Sequence, residues 1–446
     1  MGPLARLMDR TDSLVEAAVR SEADLIAFSV FTVNYRWALE VAARIKKRIC
    51  TPVVFGGVHA TAAPGRTLTN PQVDAVVVGE GEGALLDILN GMQSGKLPET
   101  SIPNVWKRTA NGIAGERPRP YIRDLDALPF PDKDLFFDKV PAFAQFYMIM
   151  TSRGCPYRCS FCCNSLYHDL YRGERGHVRR RSPDNVIAEL KWAMERYRPS
   201  FISFWDDVFT ADKNWLKRFG ELYRAIGLPY DIYTHPLALD DERARILADT
   251  GCYRAKIGLQ TVSDATRRAY LDRGGSAEEA AQAVSILKKH GITAGIDHML
   301  GLPGEGVAEQ DAAVEYYAKV KPDRINSYWM LYFPGAKIVE TARQNGTLTD
   351  RDIEAIEEGR AETSYMYLKA GADDYRKALA PYQTFFDLLP MLPDSWIKWF
   401  IRHRLPGKLP YHPIIRQAIV AVAALLQGDK RYRNTLRVML SRKHVP

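Results

Sequence analysis

The chain lacks the features that would place a protein across a membrane, outside the cell or on a disulfide scaffold. No stretch reaches the roughly 18–20 uninterrupted apolar residues of a spanning helix. The longest candidate, residues 414–426, is broken by Arg416 and Gln417. The opening MGPLARLMDRTDS has no apolar signal core. Cysteine is scarce, six in 446 residues, and four of the six are crowded into one loop, three of them in a regular spacing. That usage excludes a disulfide framework and fits a reducing cytoplasm. Cys50 and Cys252 are solitary, so no second hook is present to close a zinc site. The formal net charge of +8 is modest for this length and does not by itself call for nucleic acid. What is plentiful is core material: 46% of the residues are hydrophobic, enough for two or three domains.

The crowded loop is Arg153-Gly154-Cys155-Pro156-Tyr157-Arg158-Cys159-Ser160-Phe161-Cys162-Cys163, with thiols at i, i+4 and i+7. Gly154 and Pro156 argue for irregular backbone, which can wrap three sulfurs around one face of a metal cluster. Four-thiolate iron–sulfur ligation needs one more ligand. Cys163 follows Cys162 directly and is badly placed to reach a neighbouring iron. The spacing therefore suggests a 4Fe–4S cluster with three protein ligands, Cys155, Cys159 and Cys162, and one open iron. Thiolates suit this metal because they are soft and anionic. The bland alternative is three partly buried free thiols.

The chain ahead of this loop alternates apolar strands and amphipathic helices. Residues 24–30, 52–57 and 73–78 read as buried strands, and 35–48 and 83–92 as helices. This pattern predicts a doubly wound parallel sheet, whose ligands bind beyond the strand C-termini. Ser29, Gly56, Gly57 and His59 lie there. Ordinary turn chemistry also accounts for the serine and glycines, and His59 reads equally as a surface or capping histidine or a cofactor contact. Residues 103–150 are punctuated by proline, and 121–144 read as a linker.

From 145 to 335 the same alternation gives about six βα units, a partial (β/α)6 barrel with its chemistry at the strand C-termini. Those ends carry Asp206 and Asp207, then Gln260, then Gly301-Leu302-Pro303-Gly304-Glu305. The aspartates also read as a helix N-cap pair. Residues 336–446 read as a helical C-terminal region in which Trp396–Leu405 interleaves aromatics with bases, followed by Arg431, Arg433, Arg437, Arg442 and Lys443. Two readings stay open for it: a peripheral membrane contact or a helical cap with a basic exterior.

The cysteine loop, with Phe161 just before its third cysteine, resembles the signature of the radical S-adenosylmethionine (SAM) superfamily. The resemblance implies that the open iron binds SAM, that Asp206 and Asp207 receive its ammonium group, that Gln260 lies near its ribose, and that Phe161 and the Gly301 turn flank the adenine. One of Arg179, Arg180 and Arg181, with Arg181 nearest the helix start, is then a partner for the SAM carboxylate, the others forming a solvated basic run. The activity implied is reductive cleavage of SAM to a 5′-deoxyadenosyl radical and hydrogen abstraction from an unactivated carbon, with an external electron donor of flavodoxin or ferredoxin type.

Residues 1–120 resemble the cobalamin-binding Rossmann-like domain that precedes many radical SAM cores. Ser29-Val30-Phe31 and Gly56-Gly57 stand where that family has its S-x-L and G-G elements. Its D-x-H-x-x-G loop is absent and would fall before residue 1. The resemblance thus implies a partial domain: one that starts short, has lost cobalamin, or is covered by a partner. With cobalamin the expected outcome is C-methylation; without it, rearrangement, cyclisation or oxidation. A non-catalytic iron–sulfur or cobalamin sensor is the reading from another class. The expected substrate is a small molecule or lipid, not nucleic acid.

Overall fold

The structure is a computed structural model and describes residues 11–94, 101–138, 140–361 and 374–426. The basic residues Arg431, Arg433, Arg437, Arg442 and Lys443 lie outside the described residues. The chain forms two compact units, each assembled from segments that are not contiguous in sequence. One combines residues 1–122, 158–175 and 331–363; the other combines 123–157, 176–330 and 364–446. The cysteine loop passes from the second unit to the first after Tyr157.

The first unit holds a five-stranded sheet in the order β1 (Ile26–Ser29), β2 (Val53–Gly56), β3 (Ala75–Val77), β4 (Val105–Thr109) and β5 (Gly112–Gly115). The first three strands are parallel, and β4 and β5 form an antiparallel hairpin. This hairpin occupies the start of the stretch that reads as a connector. Its signal was Asn111-Gly112, a turn pair that favours hairpins. Helix Thr32–Lys46 lays Tyr35, Ala38, Leu39 and Ala42 against Phe55 and Val76 on one face of the sheet. Helix Glu82–Gln93 brings Ala84 and Ile88 to Val54 and Val77 on the other.

His59 is neither a surface residue nor open to a ligand. It is fully buried, its ring stacks on Tyr35 at 3.9 Å, and its two nitrogens meet Thr32 Oγ1 and the Glu357 carbonyl oxygen, each at 3.0 Å. Burial lowers its pKa to about 4 against the small opposing effect of the Glu357 bond. An unfolded histidine titrates near 6.5. Between pH 6.5 and 4 the unfolded chain therefore binds the proton that the folded chain refuses, and stability falls as pH falls. For one group this amounts to about 3 kcal/mol. His59→Leu is expected to be less stable at pH 7 and to lose that part of the pH slope in denaturant titrations. Equal slopes for the two proteins would refute the assignment.

The second unit is built on β6 (Phe146–Ile149), the two-residue strands β7 (Ser152–Arg153) and β8 (Arg179–Arg180), and β9 (Phe201–Phe204), β10 (Tyr230–Thr234), β11 (Cys252–Gln260), β12 (Thr293–Leu300) and β13 (Arg324–Trp329). Six of them make one all-parallel sheet ordered β13-β12-β11-β10-β9-β6, as a partial barrel requires, and β7 pairs with β8 antiparallel. Alternate residues divide the sheet. Ile202, Phe204, Ile232, Ile257, Ile296 and Leu300 enter a single apolar core with the surrounding helices. Capping is explicit where the sequence supplies it: Ser182, Asp212, Asp240 and Ser276 each accept an N–H from the first turn of the helix they open.

The C-terminal part is helical. Helix Asp374–Leu388 packs on β13, where the Trp329 indole N–H donates to Gln383 Oε1 at 2.9 Å. Helix Asp394–Arg402 buries Ile397 and exposes Trp396 and Trp399. Among the described residues no helix is long and apolar enough to cross a membrane.

Candidate active site

The chain leaves β6 and is clamped at once. Thr151 donates through its N–H (3.1 Å) and hydroxyl (2.8 Å) to Asp206 Oδ1, and Ser152 Oγ makes a further short bond to the same oxygen. Burial pushes the Asp206 carboxyl above its usual range, against these hydrogen bonds and the nearby Arg180 charge. Asp206 thus ties the end of β9 to the start of the cysteine loop, and Asp207 is the exposed carboxylate of the pair. Neither acts as an N-cap; that role falls to Asp212.

Gly154 then turns the chain with φ +84°, and a Cβ there would lie 2.0 Å from the His177 carbonyl oxygen. Both facts demand glycine. Gly154→Ala is expected to cost more than the about 1–3 kcal/mol of left-handed strain alone, and to lower iron uptake on reconstitution. A variant with the melting temperature and iron content of the native chain would contradict this. Tyr157, between the first two cysteines, stacks on His235 at 3.9 Å between ring centroids. His235 follows β10 and is buried.

Cys159 is buried, Cys155 and Cys162 are half-buried, and Cys163 is exposed; none of the six cysteines is in a disulfide. Cys162 stands immediately before helix Cys163–Leu170, its N–H donating to the Cys159 carbonyl at 3.1 Å. Asn164 Nδ2 lies 3.6 Å from the Cys162 sulfur. Phe161 is half-buried in the turn before Cys162. Among the described residues no three His, Cys, Asp or Glu side chains gather as one metal ion requires. A cluster asks something different, one thiolate for each of several irons. Three reduced thiols of graded burial on a glycine-turned loop suit that donor set.

The ends of β11 and β12 carry the remaining candidates. Gln260 has φ +74°, rare for a residue with a side chain, and the ladder to β12 shifts register at Gly258/Gln260. A bulge with a strained residue at a strand end re-aims a side chain. A Cβ on Gly258 would meet Arg273 Nη2 at 2.8 Å and Gln260 Nε2 at 2.9 Å. Gly258 therefore lacks a side chain so that Arg273 and Gln260 can converge over it, with Arg273 Nη2 bonded to the Gly258 carbonyl at 2.5 Å.

Arg273 was not singled out from sequence, where nothing distinguishes it from Arg267 and Arg268. The run Arg179–Arg181 is no solvated patch. Arg179 is buried, Arg180 donates to the carbonyls of Val208 (2.8 Å) and Phe209 (2.9 Å), and Arg181 pairs with Glu189 and Asn185. Gly301 sits after β12 at φ +79° beside the Trp329 ring. Glu305 is buried and bonded to Thr261 and Gln310, so it joins two strand-end loops.

In the first unit the glycine pair divides. A Cβ on Gly57 would lie 2.7 Å from Val30 N and O, so Gly57 is required by packing at φ +89°. A Cβ on Gly56 would meet only Val77 atoms, at 3.8 and 3.9 Å. Gly56 and the exposed Ser29 hydroxyl therefore leave room and a polar group beyond β1 and β2, which fits the tail of a large cofactor.

Two family models match the chain: the radical SAM superfamily over residues 149–316 and the B12 binding domain over residues 5–89. An uncharacterized methyltransferase of Pyrococcus horikoshii is 28% identical over 337 residues, 73% of this chain and 71% of that protein. The cobalamin-dependent radical SAM methyltransferase TokK of Streptomyces tokunonensis is 32% identical over 198 residues, 42% of this chain but only 27% of its own length. Among solved structures, the cobalamin-dependent SAM radical enzyme OxsB with aqua-cobalamin bound shares the fold with a TM-score of 0.65 at 15% identity, covering 96% of this chain and 72% of that one.

Proposed function

The chain joins a radical SAM domain to a B12-binding domain, and from that premise we propose that it methylates an unactivated carbon of a small organic molecule, using a 4Fe–4S cluster, SAM and cobalamin. The observation that carries the reading is the coexistence in one chain of the Cys155, Cys159, Cys162 loop and a B12-binding match. The relatives named as methyltransferases support the same outcome. When bound, the cluster and SAM supply a 5′-deoxyadenosyl radical and cobalamin supplies the methyl group.

The residues divide the remaining work. Cys155, Cys159 and Cys162 hold the cluster and leave one iron open. Asp207 receives the SAM ammonium, while Asp206 keeps the loop start in place. Arg273 takes the SAM carboxylate, a pairing that guanidinium geometry favours, with Gln260 beside it. Phe161 and the Gly301 turn border the adenine. Ser29 and Gly56 accept the cobalamin tail. An external one-electron donor of flavodoxin or ferredoxin type reduces the cluster. A peripheral contact with an anionic membrane belongs to the same reading, through Trp396 and Trp399 among Lys398, Arg402 and Arg404. Failure to pellet with phosphatidylglycerol vesicles would remove that contact.

The test is anaerobic reconstitution with iron, sulfide and cobalamin, followed by SAM, a reductant and a screen of acceptor molecules. Formation of both 5′-deoxyadenosine and S-adenosylhomocysteine, the second dependent on cobalamin, is the expected result. Deoxyadenosine alone would replace methylation by a cobalamin-independent radical reaction. Neither product from a cluster-loaded chain across the screen would overturn the reading in favour of a sensor.

A further inference from the structure

The turn after β12, Gly301-Leu302-Pro303-Gly304-Glu305, carries two glycines in the left-handed region, Gly301 at φ +79° and Gly304 at φ +76°. Glycine has the most backbone freedom to lose, so a turn with two of them needs anchors to keep one shape. Some anchors lie within the barrel. Leu302 is buried, the Glu305 N–H donates to the Leu302 carbonyl at 3.1 Å, and the Glu305 side chain bonds to Thr261 and Gln310. A Cβ on Gly304 would meet the Tyr270 ring at 3.3 Å, so the turn lies close against that ring.

Further anchors come from helix Asp374–Leu388, whose second residue, Tyr375, follows Glu305 by 70 residues. The Tyr375 hydroxyl donates to the Glu305 carbonyl at 2.6 Å and stands 3.3 Å from the Leu302 carbonyl oxygen. Next to it, the Arg376 guanidinium lies over the Trp329 ring, 5.8 Å from its centroid. Two helical turns on, Gln383 takes the Trp329 indole N–H. Trp329 is the side chain against which Gly301 packs: a Cβ on Gly301 would lie 3.4 Å from its ring. One helix thus holds both ends of the turn, the Glu305 end directly through Tyr375 and the Gly301 end through Trp329.

The two holds differ in kind. Trp329 and Gln383 are buried, whereas Tyr375 is 43% exposed in the first turn of its helix. Core packing therefore asks little of Tyr375. What its placement supplies is a hydroxyl set on the backbone of a neighbouring loop.

Resting on the reading above, in which the Gly301 turn borders the adenine of SAM, we propose that Tyr375 is a positioning residue for SAM. Its hydroxyl fixes the backbone of the turn before SAM arrives and so raises the affinity for the adenosine half of the molecule. A turn already ordered loses less conformational entropy on binding. The methionine half is held elsewhere, by the open iron, Asp207 and Arg273, and its attachment does not depend on this bond.

The test compares the full chain, reconstituted with its cluster, with Tyr375→Phe, which removes the hydroxyl and keeps the ring. Calorimetry gives the Kd for SAM, and the loss of one hydrogen bond is expected to raise it about fivefold. The electron paramagnetic resonance spectrum of the reduced cluster, recorded with SAM at saturation, is expected to be the same for both proteins, because the iron still receives the methionine half. Hydrogen exchange needs no ligand: the amides of Leu302, Gly304 and Glu305 are expected to exchange faster in the variant. An unchanged Kd or unchanged exchange would overturn the assignment. A raised Kd accompanied by lost iron or an altered spectrum would also overturn it, since the hydroxyl would then support the barrel at large. Failure of the native, cluster-loaded chain to bind SAM would remove the reading of the site along with this assignment, whereas native binding that Tyr375→Phe leaves untouched would remove the assignment alone.

Discussion

Cys159→Ala is expected to reduce 5′-deoxyadenosine formation to background and to remove most of the iron bound on reconstitution. Cys159 is the buried member of the three, and its carbonyl accepts the N–H of Cys162. Loss of a group that merely orients a ligand costs about 10–100-fold; loss of the ligand itself is expected to cost more. Cys163→Ala is the matched control. Cys163 is exposed at the first position of its helix, so iron content and product are expected to stay within about twofold of the native chain. Iron analysis, visible absorbance and product chromatography decide the matter. Native iron content in the Cys159 variant, or its loss in the Cys163 variant, would reverse the ligand assignment.

Asp231→Ala is expected to destabilise the second unit by about 3–5 kcal/mol, the range for breaking a buried ion pair by removing one partner. The carboxylate is fully buried, and its loss removes one buried counter-charge from both Arg254 and Lys256. Asp231→Leu combined with Arg254→Met is expected to recover much of the loss, because an apolar pair needs no counter-charge. The pH dependence has a definite sign. The carboxyl is held below its usual range in the folded chain, so its contribution is fully present above the unfolded value near 3.9 and is lost as pH falls through the lower folded value. Denaturant titrations from pH 7 down to 3 measure both effects. A variant within about 1 kcal/mol of the native chain would show the pair to be dispensable.

Much of the fold was legible because its signals are local and periodic. The apolar strands at 24–30, 52–57 and 73–78 and the six βα units follow from alternation and helical period alone. The cysteine loop was legible because its thiols lie within eight residues of sequence, and Gly154 could be read as a turn. The hairpin at β4 and β5 was missed because the prolines around it outweighed a single Asn-Gly pair.

The candidate residues could be named from sequence, but their surroundings could not. Asp206 and Asp207 look alike in sequence, yet one is a buried clamp and the other is exposed, because Thr151 and Ser152 arrive from 55 and 54 residues away. Gly56 and Gly57 look alike until Val30 is set against only one of them. Arg179, Arg180 and Arg181 read as a basic run, but carbonyls, Glu189 and Asn185 from other elements absorb two of them, while Arg273 reaches the Gly258 carbonyl unannounced.

The sequence alone therefore determined the cofactor chemistry, the strand order along the chain and the parity of each strand, since these depend on residues close together and on a period of two. Only the tertiary structure decided which parity faces the core when both faces are buried, and which of several equivalent polar groups is left to meet a ligand. Those outcomes depend on partners brought from far along the chain, as when His59 finds the carbonyl of Glu357, 298 residues away, and local pattern carries no record of such a meeting.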